Sequence, residues 1–228
     1  MADGQQVKMA YYSDVLCIWA YCAQERVEEL KRRFAPTELE IQYHFIPVFG
    51  STAQKIGAGW SSREGFAGYN RHVQEVARSF SHVAVHPELW ERTRPASSAS
   101  PHGFLKAVQL VQGTPSPVGG LLERAAWALR VAFFRDARDV ATRAVQWELA
   151  EELGLPRDAL AACMDDGRAV AALFEDSDAQ QRNKIEGSPS FVFNDGRQKL
   201  YGNVGYRVIE ANVQELLRAP DQSLATWC

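Results

Sequence analysis

Long apolar runs are missing from this chain: no stretch approaches the roughly 20 residues that a membrane-spanning helix needs, so a helical membrane protein is not expected. Runs of like charge are missing as well. The 25 Lys and Arg against 28 Asp and Glu leave a formal net charge of -3, and with no basic stripe to track phosphates, nucleic acid is not an expected partner. Cysteine is sparse, at positions 17, 22, 163 and 228, which excludes a disulfide-dense scaffold. None of these cysteines stands at zinc-ligand spacing from another or from the histidines at 44, 72, 82, 86 and 102, so no metal is expected and the histidines read as solvated or core residues. The opening MADGQQVKMAYYSD lacks the basic and then apolar segments of a secretory signal, and the chain reads as cytoplasmic, with its thiols reduced. Internal repeats and low-complexity tracts are absent too.

What is present begins with a strand, helix, strand unit. Val7, Met9 and Tyr11 alternate with Lys8, Ala10 and Tyr12 in a first strand; Ala20, Ala23, Val27, Leu30 and Phe34 then recur at helical spacing as far as Pro36, which predicts an amphipathic helix over about 18 to 34. Leu39, Ile41, Tyr43 and Phe45 alternate with Glu38, Glu40, Gln42 and His44 in a second strand. After Phe49 strand signals vanish. Helices are expected near 63 to 80, 104 to 112, 120 to 135, 138 to 153, 156 to 164 and 168 to 182, with breaks at PASSASPHG and QGTPSPVGG. Sheet chemistry returns where SFVF and QKLY flank NDGR as a hairpin, and Ile209, Val213, Leu216 and Leu217 give a closing helix. The layout is α/β: a βαβ half and a ββα half, able to form one sheet only if the helical block is an insertion.

The residue of interest lies at the first junction. Cys17 ends the first strand's approach and opens the helix, where unsatisfied N–H groups and the helix dipole favour a thiolate. It reads equally as a small buried apolar residue, which cysteine often is. Position 20, where a second sulfur would come within reach, holds Ala20. Cys22 lies roughly 140° around the helix and off the apolar stripe, so Cys17 would form a monothiol site. Cys163 reads as core, and Cys228, the last residue, as a thiol open to adventitious intermolecular disulfides. In GSPSFVF, Pro189 opens a strand, which reads as punctuation or as a cis peptide after Ser188.

SDVLCIWAY between strand and helix, the long helical block, and GSPSFVF followed by QKLYGNVGY together resemble the DsbA-like branch of the thioredoxin fold. That group includes cytoplasmic DsbA relatives, 2-hydroxychromene-2-carboxylate isomerases and kappa-class glutathione transferases. The resemblance spans nearly the whole chain and implies a thioredoxin fold (βαβ plus ββα) with a large all-helical insertion, divided as 1-49 and 186-228 for the thioredoxin-like domain and 50-185 for the insertion. The redox members carry Cys-Pro-Trp-Cys and then Tyr. Here Cys17, Trp19 and Tyr21 match while Ile18 and Ala20 depart, so the attacking cysteine carries over and the resolving one does not. In the glutathione-dependent members a serine takes the place of Cys17 and hydrogen-bonds the glutathione sulfur. The family's cis-proline loop, whose preceding backbone holds an extended thiol peptide, falls on Ser188 and Pro189. The kappa-type Gly-Ser-Asp-Arg turn, which recognises the γ-glutamyl end, falls on Gly202, Asn203, Val204 and Gly205. Asn203 and a helix N-terminus suit a carboxylate, whereas the acidic partner for the γ-glutamyl amine is absent.

Three activities are compatible with these residues. The first is thiol-disulfide exchange through mixed disulfides at Cys17, with glutathione as the resolving cosubstrate. The second is a glutathione-dependent isomerase or transferase holding a small aromatic molecule between Cys17 and the helical block, where Trp60, Phe66, Tyr69, Phe80 and Trp90 offer apolar surface or plain core. PASSASPHG would be a polar lip over that pocket. The third is a non-catalytic binding module, distinguished by an ordinary Cys17 acidity. Partners would be a small thiol or other small molecule and, as the resemblance implies for glutathione-dependent relatives, a second copy of the chain in a homodimer.

Overall fold

The computed structural model describes residues 6–113 and 120–218. Two strands, β1 (Val7–Ser13) and β2 (Leu39–Phe45), flank helix α1 (Ile18–Arg33). They pair in parallel, Val7 with Leu39 through to Ser13 with Phe45, as a helical crossover requires. The second half supplies β3 (Ser190–Phe193), β4 (Gln198–Tyr201) and helix α9 (Tyr206–Arg218). β3 pairs antiparallel with both β1 and β4, so the sheet order is β2-β1-β3-β4. This is the thioredoxin fold, with the NDGR stretch closing its hairpin through a short 3-10 turn at Asn194–Gly196.

Between the two halves the helical block holds α2 (Gly65–Arg78), α3 (Leu89–Arg92), α4 (Ala99–Gln112), α5 (Leu121–Phe134), α6 (Arg143–Glu152), α7 (Arg157–Asp165) and α8 (Arg168–Arg182). Helix α3, a single turn, was not expected, and two others start well away from their expected limits. Helix α4 starts at Ala99, inside PASSASPHG, because Ser98 accepts the His102 amide and Pro101 falls in the first turn, where its missing N–H has no helical partner to lose. The Ser-rich stretch is therefore largely a helix start rather than a lip. Helix α6 begins only at Arg143, because Asp139 folds 139–142 into a turn, taking Ala141 N–H on its carboxylate and the Thr142 hydroxyl on its carbonyl.

The sheet is covered on both faces. Val7, Met9 and Tyr11 pack with α1 (Val27, Leu30) and α9 (Ile209, Val213, Leu216), while Tyr12 and Val192 on the other face meet Ala179 of α8 and Ile185. The first cluster runs without a break into the insertion, through Trp90, Phe104, Leu129 and Phe133. Helix α1 is consequently packed on two sides, and that corrects one expectation: Cys22, placed off the apolar stripe, is 0% exposed. Its side faces the insertion, which a stripe drawn for a single sheet contact omits. Cys163 is buried as well, and Cys228 lies outside the described residues. Among the described residues no helix is long and apolar enough to cross a membrane.

Candidate thiol site

Cys17 caps the N-terminus of α1 in extended conformation, its carbonyl accepting the N–H groups of Ala20 and Tyr21 at 3.1 and 3.0 Å. The sulfur faces the opposite loop. Cys17 Sγ is 3.2 Å from the carbonyl oxygen of Ser188, and the peptide joining Ser188 to Pro189 is cis. The Ser188 hydroxyl accepts the Asp14 amide at 2.9 Å, so one residue of the second half fixes both ends of the Asp14–Cys17 turn. Pro189 is buried, and its carbonyl accepts the Gly202 amide at 2.8 Å, where Gly202 takes the left-handed φ of 71° that brings the chain back from β4. Gly202 thus stands beside the proline loop, and Asn203 after it is exposed.

The other motif residues diverge. Trp19 is half-buried and sets its ring edge-on to Phe80, with centroids 6.3 Å apart, and the Arg26 guanidinium lies over the Phe80 ring. Tyr21 turns into the insertion instead, stacking on Phe134 at 4.7 Å and meeting the tilted ring of Trp127 at 5.3 Å. Of the five insertion aromatics, Trp90 is fully buried between Phe49, Phe66, Tyr69 and Phe133 and is core. Trp60, Phe66 and Phe80 keep part of their surface open. A cavity of about 1270 Å³ lies elsewhere, along the outer edge of β2 beneath α4 and α8, and Cys17 does not line it.

Burial decides the acidity of the sulfur. The Cys17 residue is 6% exposed, and desolvation pushes its thiol above the usual range. A hydrogen bond from Ser188 and the N–H groups of Ala20 and Trp19 oppose that, and the nearby Asp14 charge adds to it. The helix start acts in the expected direction, but the loss of water outweighs it. In the closed site Cys17 is a neutral thiol donating to the Ser188 carbonyl.

Beneath the thiol lies a polar network that the pattern of single elements did not reveal. Asp14 is fully buried; its carboxylate accepts Leu16 N–H at 2.8 Å, Phe49 N–H at 2.9 Å and the Ser98 hydroxyl at 2.7 Å. His102 of α4, also fully buried, accepts the Val15 amide on Nε2 at 3.1 Å. Burial and the Arg130 and Lys106 charges hold its imidazole down to about 3, so it is neutral. The same burial lifts Asp14 to about 6 against its four favourable partners. Arg130 of α5, 1% exposed, reaches Ser13 Oγ at 3.0 Å and bonds Gln24 Oε1. The one sequence signal was an acid in SDVLC, between an apolar strand and an apolar turn; two of its partners, Phe49 and Ser98, are 35 and 84 positions away. Among the described residues no group of three metal-ligating side chains forms.

The model of the DSBA-like thioredoxin domain family matches residues 8–214. The fold is similar to that of the cytosolic disulfide reductase DsbM from Pseudomonas aeruginosa, at 21% identity and a TM-score of 0.66 over 91% of this chain and 98% of that one. DsbM solved with GSH gives 21% identity and a TM-score of 0.65, covering 91% and 99%. A 2-hydroxychromene-2-carboxylate isomerase is similar at 17% identity and a TM-score of 0.64, covering 96% and 100%. No curated protein sequence matches the chain.

Proposed function

The chain belongs to the DSBA-like thioredoxin domain family, and from that premise we propose that it is a thiol-disulfide oxidoreductase working through a single sulfur, Cys17. The observation that carries the reading is the placement of that sulfur. It sits at the start of α1, 3.2 Å from the Ser188 carbonyl, with Ala20 where a resolving cysteine would stand. Cys22 is buried about 1.4 turns further on.

In the proposed cycle the Cys17 thiolate attacks one sulfur of a disulfide; a mixed disulfide forms and the other sulfur leaves as a thiolate. An external thiolate then attacks the mixed disulfide, forms a new disulfide with the substrate half, and returns Cys17. The pair of electrons comes from the external thiol. Glutathione is the cosubstrate we propose, supported by the solved complex of DsbM with GSH; Ser188, Gly202 and Asn203 would hold its backbone beside the proline loop, with Trp19 and Pro189 as the walls. Residues 1-49 and 186-228 would form the catalytic unit and 50-185 the wall over it. A monothiol cycle that consumes glutathione suits a reducing compartment such as the cytosol, and a homodimer belongs to the same proposal.

One observation favours a second reading. A neutral Cys17 thiol that donates a hydrogen bond resembles the serine that hydrogen-bonds a glutathione sulfur in isomerases and transferases of this type, and the open edges of Trp60, Phe66 and Phe80 would take a small aromatic substrate. Cys17→Ser separates the two. It abolishes exchange between a glutathionylated peptide and free glutathione if the sulfur is the nucleophile, whereas a donor role survives the change. A Cys17→Ser protein retaining full exchange would sink the oxidoreductase reading. A wild-type protein with neither activity would leave a binding module.

A further inference from the structure

A fully buried carboxylate three residues before the working sulfur is costly unless something depends on it, because burial of an unpaired charge is among the most unfavourable events in folding. Among the described residues no charged partner closes on Asp14: the 3.6 Å separation between Asp14 Oδ1 and His102 Nε2 joins it to a neutral ring already engaged by the Val15 amide. What the carboxylate does hold is three separate parts of the chain. Leu16 N–H is the backbone immediately before Cys17, Phe49 N–H is where the chain leaves the sheet for the insertion, and Ser98 Oγ is at the start of α4. The Asp14 amide, in turn, is held by Ser188. We propose that Asp14 is a positioning residue for Cys17, a joint that seats the sulfur against Ser188 only while the insertion is docked, and whose ionised form restrains thiolate formation through its charge.

The groups facing this joint come from every element packed on it. Cys17 follows on the same turn, His102 and Lys106 come from α4, Arg130 from α5, and Tyr69 from α2. Of these, His102 stays neutral. Cys17 and Tyr69 are both raised, and Asp14 is among the causes for each. With Asp14 titrating near 6, its charge changes in the middle of the pH range while the His102 imidazole stays neutral.

The inference rests on Cys17 as the working atom for its importance, but its test needs no substrate. The rate of Cys17 iodoacetamide labelling is followed from pH 5 to 10 on the full chain, resolved by peptide mass spectrometry so that Cys22 and Cys163 do not contribute. The expected wild-type profile rises, bends to a shoulder near pH 6 as Asp14 ionises, and rises again. In Asp14→Asn the shoulder disappears and the upper limb moves down by about one pH unit, roughly a tenfold faster reaction at pH 8. Because Asp14→Asn removes a joint and can fail to fold, Ser98→Ala is measured beside it. Losing one donor to the carboxylate while keeping its charge moves the shoulder to higher pH. A wild-type profile with no shoulder overturns the proposal, and so does a Ser98→Ala profile that superimposes on it. Loss of disulfide exchange in Cys17→Ser says nothing about either, so the two readings fail separately.

Discussion

Ser188 and Cys17 meet through a backbone oxygen: the Ser188 carbonyl lies 3.2 Å from Cys17 Sγ, across 171 positions of sequence. That oxygen belongs to the loop that opens β3, and the sulfur to the start of α1, so the contact exists only because β3 pairs antiparallel with β1. The sheet topology, rather than any local motif, makes the site. It also sets the chemistry of the resting state, because a sulfur closed between a carbonyl and the turn above Asp14 loses water and keeps its proton.

The first prediction concerns that proton. A thiol raised by burial reacts through a small thiolate fraction, so Cys17 labelling in the free protein should resume its rise after the Asp14 shoulder and still be accelerating above pH 9. A high thiol pKa also makes the rare thiolate a stronger nucleophile, and mixed-disulfide formation with oxidised glutathione should follow the same limb. A labelling rate that stays constant from pH 6 to pH 10 would show that the helix start, and not desolvation, governs the sulfur.

Ala20 offers a gain-of-function experiment. Its N–H bonds the Cys17 carbonyl at 3.1 Å and it occupies the turn facing Cys17. Ala20→Cys should therefore close an intramolecular disulfide when treated with oxidised glutathione, where the wild type stops at a stable glutathione adduct. Intact mass distinguishes the two products. Because Ala20 is 0% exposed, the added sulfur should cost about 1 kcal/mol or more of stability through overpacking. A variant that stops at the adduct would mean the sulfur at 20 points away from Cys17.

Much of the fold was legible because its signals are local. The alternation from Val7 to Ser13 and from Leu39 to Phe45, and the helical spacing through α1, return as the elements observed. Cys17 at the helix start and Ser188 with Pro189 ahead of β3 were legible for the same reason, as residues at element boundaries. The network under the sulfur was not. Asp14, Ser98, His102 and Arg130 come from a strand end and two helices that no periodicity brings together. Cys22 was misplaced because a stripe computed for one face of α1 has no knowledge of the second face, which the insertion covers.

Trp90 tests how far the insertion and the thioredoxin unit share a core. It is 0% exposed and meets Phe49 at 5.9 Å on the thioredoxin side and Phe133 at 4.9 Å within the insertion. Trp90→Ala should cost about 3–5 kcal/mol of unfolding free energy, and the denaturant transition should stay single. Two separated transitions in the variant would show that the two parts hold their cores independently.

The last prediction follows from the buried pair formed by Asp14 and His102. His102 is held down to about 3 in the folded chain from an ordinary 6.5, so between those values the unfolded chain binds a proton that the folded one does not. Stability from this group is therefore lost as pH falls below 6.5. Asp14 works in the opposite sense. It is raised to about 6 from 3.8, so its contribution is fully present below pH 3.8 and is lost as pH rises through 6. Between pH 6 and 4 each state carries one proton, on His102 when unfolded and on Asp14 when folded, and the two slopes cancel. His102→Gln keeps an acceptor for the Val15 amide and removes one side of that balance. Relative to wild type, its unfolding free energy should rise on acidification through this window, by up to about 1.4 kcal/mol per pH unit. Urea unfolding at pH 6, 5 and 4 measures the difference, and parallel stability curves for the two proteins would mean that the pair does not exchange a proton on folding.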